Sequence, residues 1–150
     1  MPAKFLPLTA GEIDRVLAMM AKLYAQSSSA FEAGRARRAM ERLLAEPEFG
    51  GVWTICWEGA TVGYLVLVLG YSLEFGGRFG LLDEIFVEEE WRGKGMGTEA
   101  LAFADDECRA RGWHALRLEV GERNLRAIAL YRWSGFQMHD RYLMTKWISC

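Results

Sequence analysis

The residues best suited to chemistry lie in the stretch LDEIFVEEEWRGKGMGTEAL, residues 82–101. Two carboxylates, Asp83 and Glu84, stand within an apolar run, and a carboxylate can act as a general base. Three glycines and two basic residues follow at positions 92–97. A glycine loop that leads into a helix exposes backbone N–H groups, which bind phosphate. The stretch therefore combines candidate proton acceptors with a candidate anion site.

The glycine segment by itself is compatible with several phosphate-binding classes and with a plain solvated turn. A nucleotide-triphosphatase loop requires GxxxxGK followed by Ser or Thr, and this class is excluded because Gly95 follows Lys94. A dinucleotide-binding fold is disfavoured because residues 88–91 separate the predicted strand from Arg92. Too little chain also follows the segment to build a doubly wound sheet. The identity of the anion therefore depends on the rest of the chain.

Composition predicts one domain over residues 1–150, with room for a substantial core. A net charge of −2 argues against a general nucleic-acid binder. Cys56, Cys108 and Cys150 form no CxxC pair, so we expect reduced thiols in a cytoplasmic protein and no metal site. The apolar run at 62–71 is too short to span a bilayer and suits a buried strand. We therefore expect neither a membrane nor a nucleic-acid partner.

Hydrophobic periodicity and turn residues predict the order βααβββαβαββ, a mixed α/β (α+β) domain with one central sheet flanked by helices. Thr9 is expected to cap the first helix. The remaining expected helices cover 31–45, 98–111 and 124–135. The expected strands cover 4–9, 51–58, 61–72, 81–87 and 113–120, and a tight strand pair over 136–148 turns at His139-Asp140.

Two motifs resemble those of the GNAT acyltransferase superfamily. Its acetyl-coenzyme A signature is a strand, then Gln/Arg-x-x-Gly-x-Gly/Ala, then a helix, and residues 92–97 match it. The segment LRLEVGERNLRAIALYRWSGFQ is similar to a second element, with Asn124, Ala127, Leu130-Tyr131 and Gly135-Phe136 at the matching places. The final hairpin is shorter than in the family. The order of predicted elements also fits this fold.

The resemblance implies that acetyl-coenzyme A (acetyl-CoA) is the co-substrate, held in a cleft where strand 81–87 splays from strand 115–121. The N–H of Val87 would then polarise the thioester carbonyl, an oxyanion-type role. Asn124 would touch the pantetheine arm, besides capping its helix. The implied cofactor-binding residues are Ile85, Phe86 and Val87 along the arm, Arg92, Gly93, Lys94, Gly95, Met96, Gly97 and Thr98 around the pyrophosphate, and Asn124 and Tyr131.

The implied chemistry requires two proton transfers. An aliphatic amine has a pKa near ~10.4, so freeing its lone pair costs ~4 kcal/mol at pH 7. Candidate bases are Asp83, Glu84 and, through water, Glu119, with Asp83 favoured. Asp83 matches the acid of some family polyamine acetylators, and Glu84 that of antibiotic-modifying relatives. Adjacent strand residues point to opposite faces, so only one of these two reaches the acceptor unless a bulge intervenes. Tyr131 holds the family position that protonates the leaving thiolate.

The acceptor is expected to be a small cationic amine, such as a polyamine or an aminosugar. The alternatives are a lysine or N-terminal amine of a protein, and a non-catalytic module that binds coenzyme A as a sensor. Exposed final strands and Trp147 suggest a homodimer. The residues expected to frame the acceptor are acidic, namely Glu74, Asp83, Glu84, Glu119 and Glu122, or aromatic, namely Tyr71, Phe75 and Phe79.

Overall fold

The computed structural model describes residues 2–148, and its elements follow the predicted order through the last helix. Two compact units divide the chain at residue 119, with the sheet and three helices in the first unit. The strands are β1 (Lys4–Pro7), β2 (Gly50–Trp57), β3 (Ala60–Ser72), β4 (Gly77–Val87) and β5 (Leu116–Leu118). The helices are α1 (Ile13–Gln26), α2 (Ala33–Ala45), α3 (Met96–Arg111) and, in the second unit, α4 (Leu125–Trp133).

The sheet of the first unit has the order β1-β2-β3-β4-β5. Its first four strands are antiparallel, and β5 runs parallel to β4. The β2–β3 hairpin turns at Glu58 and Gly59, whose φ angles of 51° and 80° are both positive. Two positive φ angles are the requirement of the tight hairpin turn that matches the twist of the strands. The hairpin predicted from the Glu58-Gly59 pair is therefore confirmed.

Helices cover both faces of this sheet, as adjacent residues of β2 demonstrate. Val52 lies in a buried cluster with Val16 of α1 and Met40 of α2. The next residue, Trp53, contacts Phe103 of α3, with ring centroids 5.3 Å apart. Successive strand residues point to opposite faces, so α1 and α2 pack on one face and α3 on the other. The predicted fold class, a central mixed sheet flanked by helices, is confirmed.

Several element boundaries differ from those predicted. A 3-10 turn over Ala10–Glu12 precedes α1, and the Thr9 side chain makes no capping hydrogen bond. Glycines at 76, 77 and 80 suggested a loop over 75–80, but β4 begins at Gly77 because residues 77–80 pair with residues 69–72 of β3. Helix α3 begins at Met96, two residues before the predicted start. Strand β5 contains only three of the eight residues predicted for it.

The predicted strand pair over 136–148 is wrong, since none of these residues belongs to a strand. Two strands alone are marginally stable without a third strand or a packed helix. The expected turn, His139-Asp140, also lacks the glycine that a tight hairpin turn favours. Residues 137–148 are instead exposed and irregular. Cys150 lies outside the described residues.

Candidate active site

Strand β4 carries a β-bulge at the two predicted acids. Glu84 pairs with Val66 of β3, whereas Leu82 pairs with the adjacent Leu67, so Asp83 is an extra residue in the ladder. Because Val66 and Leu67 point to opposite faces, Leu82 and Glu84 do so too, although they are two residues apart. Asp83 points to the face opposite Leu82, which is the face that Glu84 shares. The bulge therefore places both acids on the same face of the sheet, whereas regular alternation would place them on opposite faces.

Two tyrosine hydroxyls hold the carboxylate of Glu84. Tyr24 of α1 donates to Oε2 at 2.5 Å, and Tyr64 of β3 donates to Oε1 at 2.7 Å. Burial raises the pKa of Glu84, the two hydrogen bonds act to lower it, and the charge of Asp83 raises it again. Burial, together with the hydrogen bond and charge of Glu84, raises the pKa of both phenols, so both remain protonated donors.

Sequence analysis missed both tyrosines. They lie 60 and 20 residues before Glu84 in the chain, so no local spacing connects them to it. A signal existed for Tyr64, which is fully buried in the apolar run at 62–71. A buried tyrosine hydroxyl usually has a hydrogen-bond partner, and a nearby strand with two acids offers one.

The charge of Glu119 acts on Asp83. Burial first, and then the negative charge of Glu119, raises the pKa of Asp83. Asp83 is exposed, so solvent reaches its side chain and its desolvation is only partial. Glu119 directly follows β5 and is not part of it. Asp83 is therefore a carboxyl group with increased basicity and access to water.

The outer edge of β4 is open beyond the bulge. The N–H of Glu88 donates to the carbonyl of Val62 at 2.8 Å, so even-numbered residues of this segment direct their backbone groups to β3. Ile85 and Val87 direct theirs to the other side. The parallel ladder to β5 ends at the pair of Leu82 and Leu118, so within residues 2–119 no strand lies along the outer side of Ile85 or Val87.

The glycine loop leads into α3 through two left-handed residues. Gly93 has a φ of 76°, and Gly95, the residue that caps α3, has a φ of 88°. An ideal Cβ at either position would meet no atom within 4 Å. The first N–H groups of a helix have no partner within it, and the positive helix end attracts anions. The loop is therefore open to solvent at both glycines and ends at the positively charged start of a helix.

The side chains around this loop differ in their exposure to solvent. Arg92 is exposed, with Nε donating to the Val87 carbonyl at 2.7 Å and its guanidinium 5.4 Å from the Phe86 ring centroid. Lys94 is also exposed and lies 5.8 Å from the Trp57 ring centroid. Met96 is only 2% exposed, so its side chain belongs to the core and does not reach a ligand. Gly97 and Thr98 belong to the first turn of α3.

Phe86 contributes to the core rather than to the open edge. Its ring is buried in the cluster under α1 and α2, and its backbone faces β3. Its connection to the glycine loop is the contact of its ring with Arg92. Of the three predicted arm-binding residues, only Ile85 and Val87 therefore present backbone groups to the open edge.

The second unit contains the remaining predicted residues. Asn124 accepts a hydrogen bond from the N–H of Ala127 at 3.2 Å, so the predicted cap of α4 is confirmed. The ring of Tyr131 packs edge-to-face against Phe136, with centroids 5.9 Å apart. Burial raises the pKa of Tyr131, which keeps its hydroxyl protonated near neutral pH. Tyr131 therefore carries its proton at neutral pH and holds it more tightly than a solvent-exposed tyrosine does.

The aromatic residues expected to contact the acceptor are partly engaged within the chain. The guanidinium of Arg117 on β5 lies 4.6 Å from the Phe75 ring centroid and 5.5 Å from that of Phe79. One face of each ring is thus already covered by a cation. Tyr71 is exposed.

Two further properties bear on function. Within the described part of the chain, no group of three or more His, Cys, Asp or Glu side chains is arranged to hold a metal ion. No helix among residues 2–148 is both long and apolar enough to cross a membrane.

Comparison with known proteins identifies the family. Residues 17–136 match the model of the acetyltransferase (GNAT) family. An IAA acetyltransferase from Azospirillum brasilense is 38% identical over 65 residues, which are 43% of this chain and 42% of that protein. A thialysine N-epsilon-acetyltransferase from Bos taurus is 36% identical over 76 residues, 51% of this chain and 44% of that protein. These matches span less than half the length of either relative.

A solved structure covers far more of the chain. An integron cassette protein from the mobile metagenome of Cole Harbour Salt Marsh is 31% identical, with a TM-score of 0.84, and the match covers 97% of this chain and 91% of that one. The family model reaches from α1 past α4 and includes the bulged strand and the glycine loop. The chain belongs to the acetyltransferase (GNAT) family.

Proposed function

We propose that this chain transfers the acetyl group of acetyl-CoA to the primary amine of a small cationic acceptor, by direct attack in a ternary complex. The observation that carries the proposal is the continuity of the site along residues 83–98. Two acids at a bulge, an unpaired strand edge and an open glycine loop follow one another there. These are the parts needed to accept a proton, extend a thioester substrate and hold its phosphates.

Acetyl-CoA is a substrate in this proposal, and the free backbone groups suit it. The N–H groups of residues 93–98 bind its pyrophosphate, and Arg92 and Lys94 add positive charge. Its pantetheine arm extends β4 by pairing with the outward N–H and carbonyl of Ile85 and with the N–H of Val87, as an added strand does, while the Val87 carbonyl accepts from Arg92. The N–H of Val87 then donates to the thioester carbonyl oxygen, where negative charge develops during attack.

Two residues carry out the proton transfers of the proposed reaction. Asp83 takes a proton from the acceptor ammonium, a role supported by its raised pKa and contact with solvent. The freed amine nitrogen attacks the thioester carbon, and the carbon–sulfur bond breaks. The nitrogen then releases its second proton to solvent, which restores the proton that Tyr131 gives to the thiolate. Tyr131 supplies the proton that the leaving thiolate needs, which its protonated state permits. Asn124 contacts the pantetheine arm.

The acceptor class follows from charge. Asp83, Glu84 and Glu119 form an acidic group that attracts a cation and disfavours an anionic acceptor. The bovine relative is named for the Nε amine of thialysine, a small acceptor. A polyamine or an aminosugar carries suitable amines, and spermidine and glucosamine are therefore the first acceptors to test.

Turnover of acetyl-CoA with spermidine, glucosamine and lysine-containing peptides tests this function. We expect acetyl transfer to the small amines, and a Tyr131→Phe variant that binds acetyl-CoA normally with kcat about 10²–10⁴-fold lower. Turnover with peptides alone would indicate a protein acceptor. Tight binding of acetyl-CoA without transfer to any amine would indicate a sensor.

A Glu119→Gln variant tests the environment of the base. The charge of Glu119 raises the pKa of Asp83, so its removal lowers that pKa. A base with a lower pKa is deprotonated at lower pH, and the acidic limb of kcat/KM should therefore move to lower pH. Measurement of kcat/KM between pH 5 and 9 checks this shift. An unchanged acidic limb would show that Asp83 is not the base or that Glu119 does not act on it.

Domain organisation, location and assembly are further parts of the proposal. The family model spans parts of both units, which supports residues 1–150 acting as one acetyltransferase domain. Cys56 and Cys108 are free thiols, which supports a cytoplasmic location. Exposed apolar side chains at Leu143, Met144 and Trp147 support a homodimer.

A further inference from the structure

We infer that Glu84 is the fixed anion that binds the ammonium group of the acceptor, that Tyr24 and Tyr64 are the positioning residues that hold it, and that proton transfer is left to Asp83. The inference deepens the proposed function and rests on it. It separates the roles of two adjacent acids, which the sequence presents as equivalent candidates.

The hydrogen bonds of Glu84 fix the position of its carboxylate and leave some of its acceptor sites free. Tyr24 reaches one oxygen from α1 and Tyr64 reaches the other from β3, so both oxygens are oriented from outside β4. An ionised carboxylate has about four acceptor sites, so about two remain for a ligand. An ammonium group has three donors and forms its strongest hydrogen bonds to such a charged acceptor.

The same hydrogen bonds make Glu84 the poorer base of the two. A donor to the ionised form stabilises that form, and protonation of Glu84 would weaken both contacts. Asp83 receives no side-chain hydrogen bond from any residue between 2 and 148 and is open to solvent. Glu84 is therefore suited to hold charge in place, whereas Asp83 is suited to accept a proton and release it to water.

Tyr24 also connects Glu84 to the segment between α1 and α2. The Tyr24 ring lies edge-to-face with Phe31, at a centroid distance of 5.6 Å, and Phe31 directly precedes the residue that caps α2. The position of the segment at 27–32 is thus linked to the carboxylate. An acceptor bound to Glu84 would lie near this segment, on the sheet face covered by α1 and α2.

Calorimetric titration of spermidine and glucosamine, in the presence of coenzyme A, tests the inference without requiring turnover. We expect Glu84→Gln to weaken binding of the acceptor by at least about 10-fold, and Tyr24→Phe by about 3–10-fold. In steady-state assays, both changes should appear in the acceptor KM, with kcat within about threefold of the wild type. Tyr142→Phe, at a position 90% exposed, is the matched control and should change neither value.

Tyr64→Phe is the second positioning variant, and its unfolding midpoint is measured beside its affinity because the residue is fully buried. A kcat loss of about 100-fold or more in Glu84→Gln, with unchanged affinity, would make Glu84 the base and overturn the inference. Unchanged affinity in Tyr24→Phe would overturn the role of that residue.

The outcomes separate this inference from the proposed function. If the wild type binds an amine and Glu84→Gln does not, but no acetyl group is transferred, the proposed function fails and the binding role of Glu84 stands. If acetyl transfer occurs and affinity is independent of Glu84, the function stands and the inference fails. No binding of either amine by the wild type would overturn the assignment of Glu84.

Discussion

A Gly95→Val variant should lose detectable binding of acetyl-CoA while remaining folded. Gly95 caps α3 with a φ of 88°, and the space where its side chain would project is open. Valine there would occupy the place proposed for the pyrophosphate and strain the left-handed turn. Loss of two charge-assisted hydrogen bonds corresponds to an affinity at least about 100-fold lower. Isothermal titration with acetyl-CoA measures the effect.

Gly112→Val is the matched control for this variant. Gly112 ends the same helix with a φ of 72°, and an ideal Cβ there also meets no atom within 4 Å. Both variants should lose about 1–2 kcal/mol of unfolding free energy, since each forces a side chain into the left-handed region. Only Gly95→Val should lose affinity. Equal losses of affinity in the two variants would show that helix strain, rather than a blocked phosphate site, explains the result.

An Asp83→Asn variant should lower kcat about 10²–10⁴-fold near neutral pH, because no carboxylate then takes the ammonium proton. The asparagine amide is similar in size to the carboxylate that it replaces, so we expect the bulge in β4 to remain. Residual activity should rise with pH towards the pKa of the amine itself, near ~10.4, because deprotonated amine must then come from solution. Rates between pH 6 and 10, compared with those of the wild type, measure both effects.

Asp106→Asn provides the control for charge. It makes the same substitution at an exposed position on α3, where Asp106 lies near Arg109. Its kcat and pH profile should match those of the wild type. Full activity of Asp83→Asn would contradict the assignment of the base and leave Glu84 or Glu119 as the candidate.

The elements predicted correctly have strong local signals. The Glu58-Gly59 turn between two apolar strands predicted the hairpin, and Asn124 predicted the cap of α4. The final strand pair failed because strand formation depends on a pairing partner, which spacing within 136–148 cannot supply. The short β5 has the same cause, since its ladder with β4 ends at Leu118 whatever the alternation beyond it.

The candidate site likewise has one part that the sequence predicted and another part that it did not. Glycines and basic residues predicted the open loop at the start of α3, because positive φ and helix-end charge depend on neighbouring residues alone. The bulge at Asp83 depends on the register with β3, and the environment of Glu84 depends on Tyr24 and Tyr64. Both arise from contacts between distant segments, so the division of roles proposed for the two acids could not come from the sequence.

The extra residue in β4 also suggests how such a chain could change function during evolution. Deletion of residue 83 would leave Leu82 opposite Leu67 and Glu84 opposite Val66, the pairs that already exist. The open edge and the glycine loop would keep their places, and a single anchored carboxylate would remain at the site. On the proposed roles, loss of one codon would thus remove the base without disturbing the ligand site, and an enzyme would become a receptor for its own substrates.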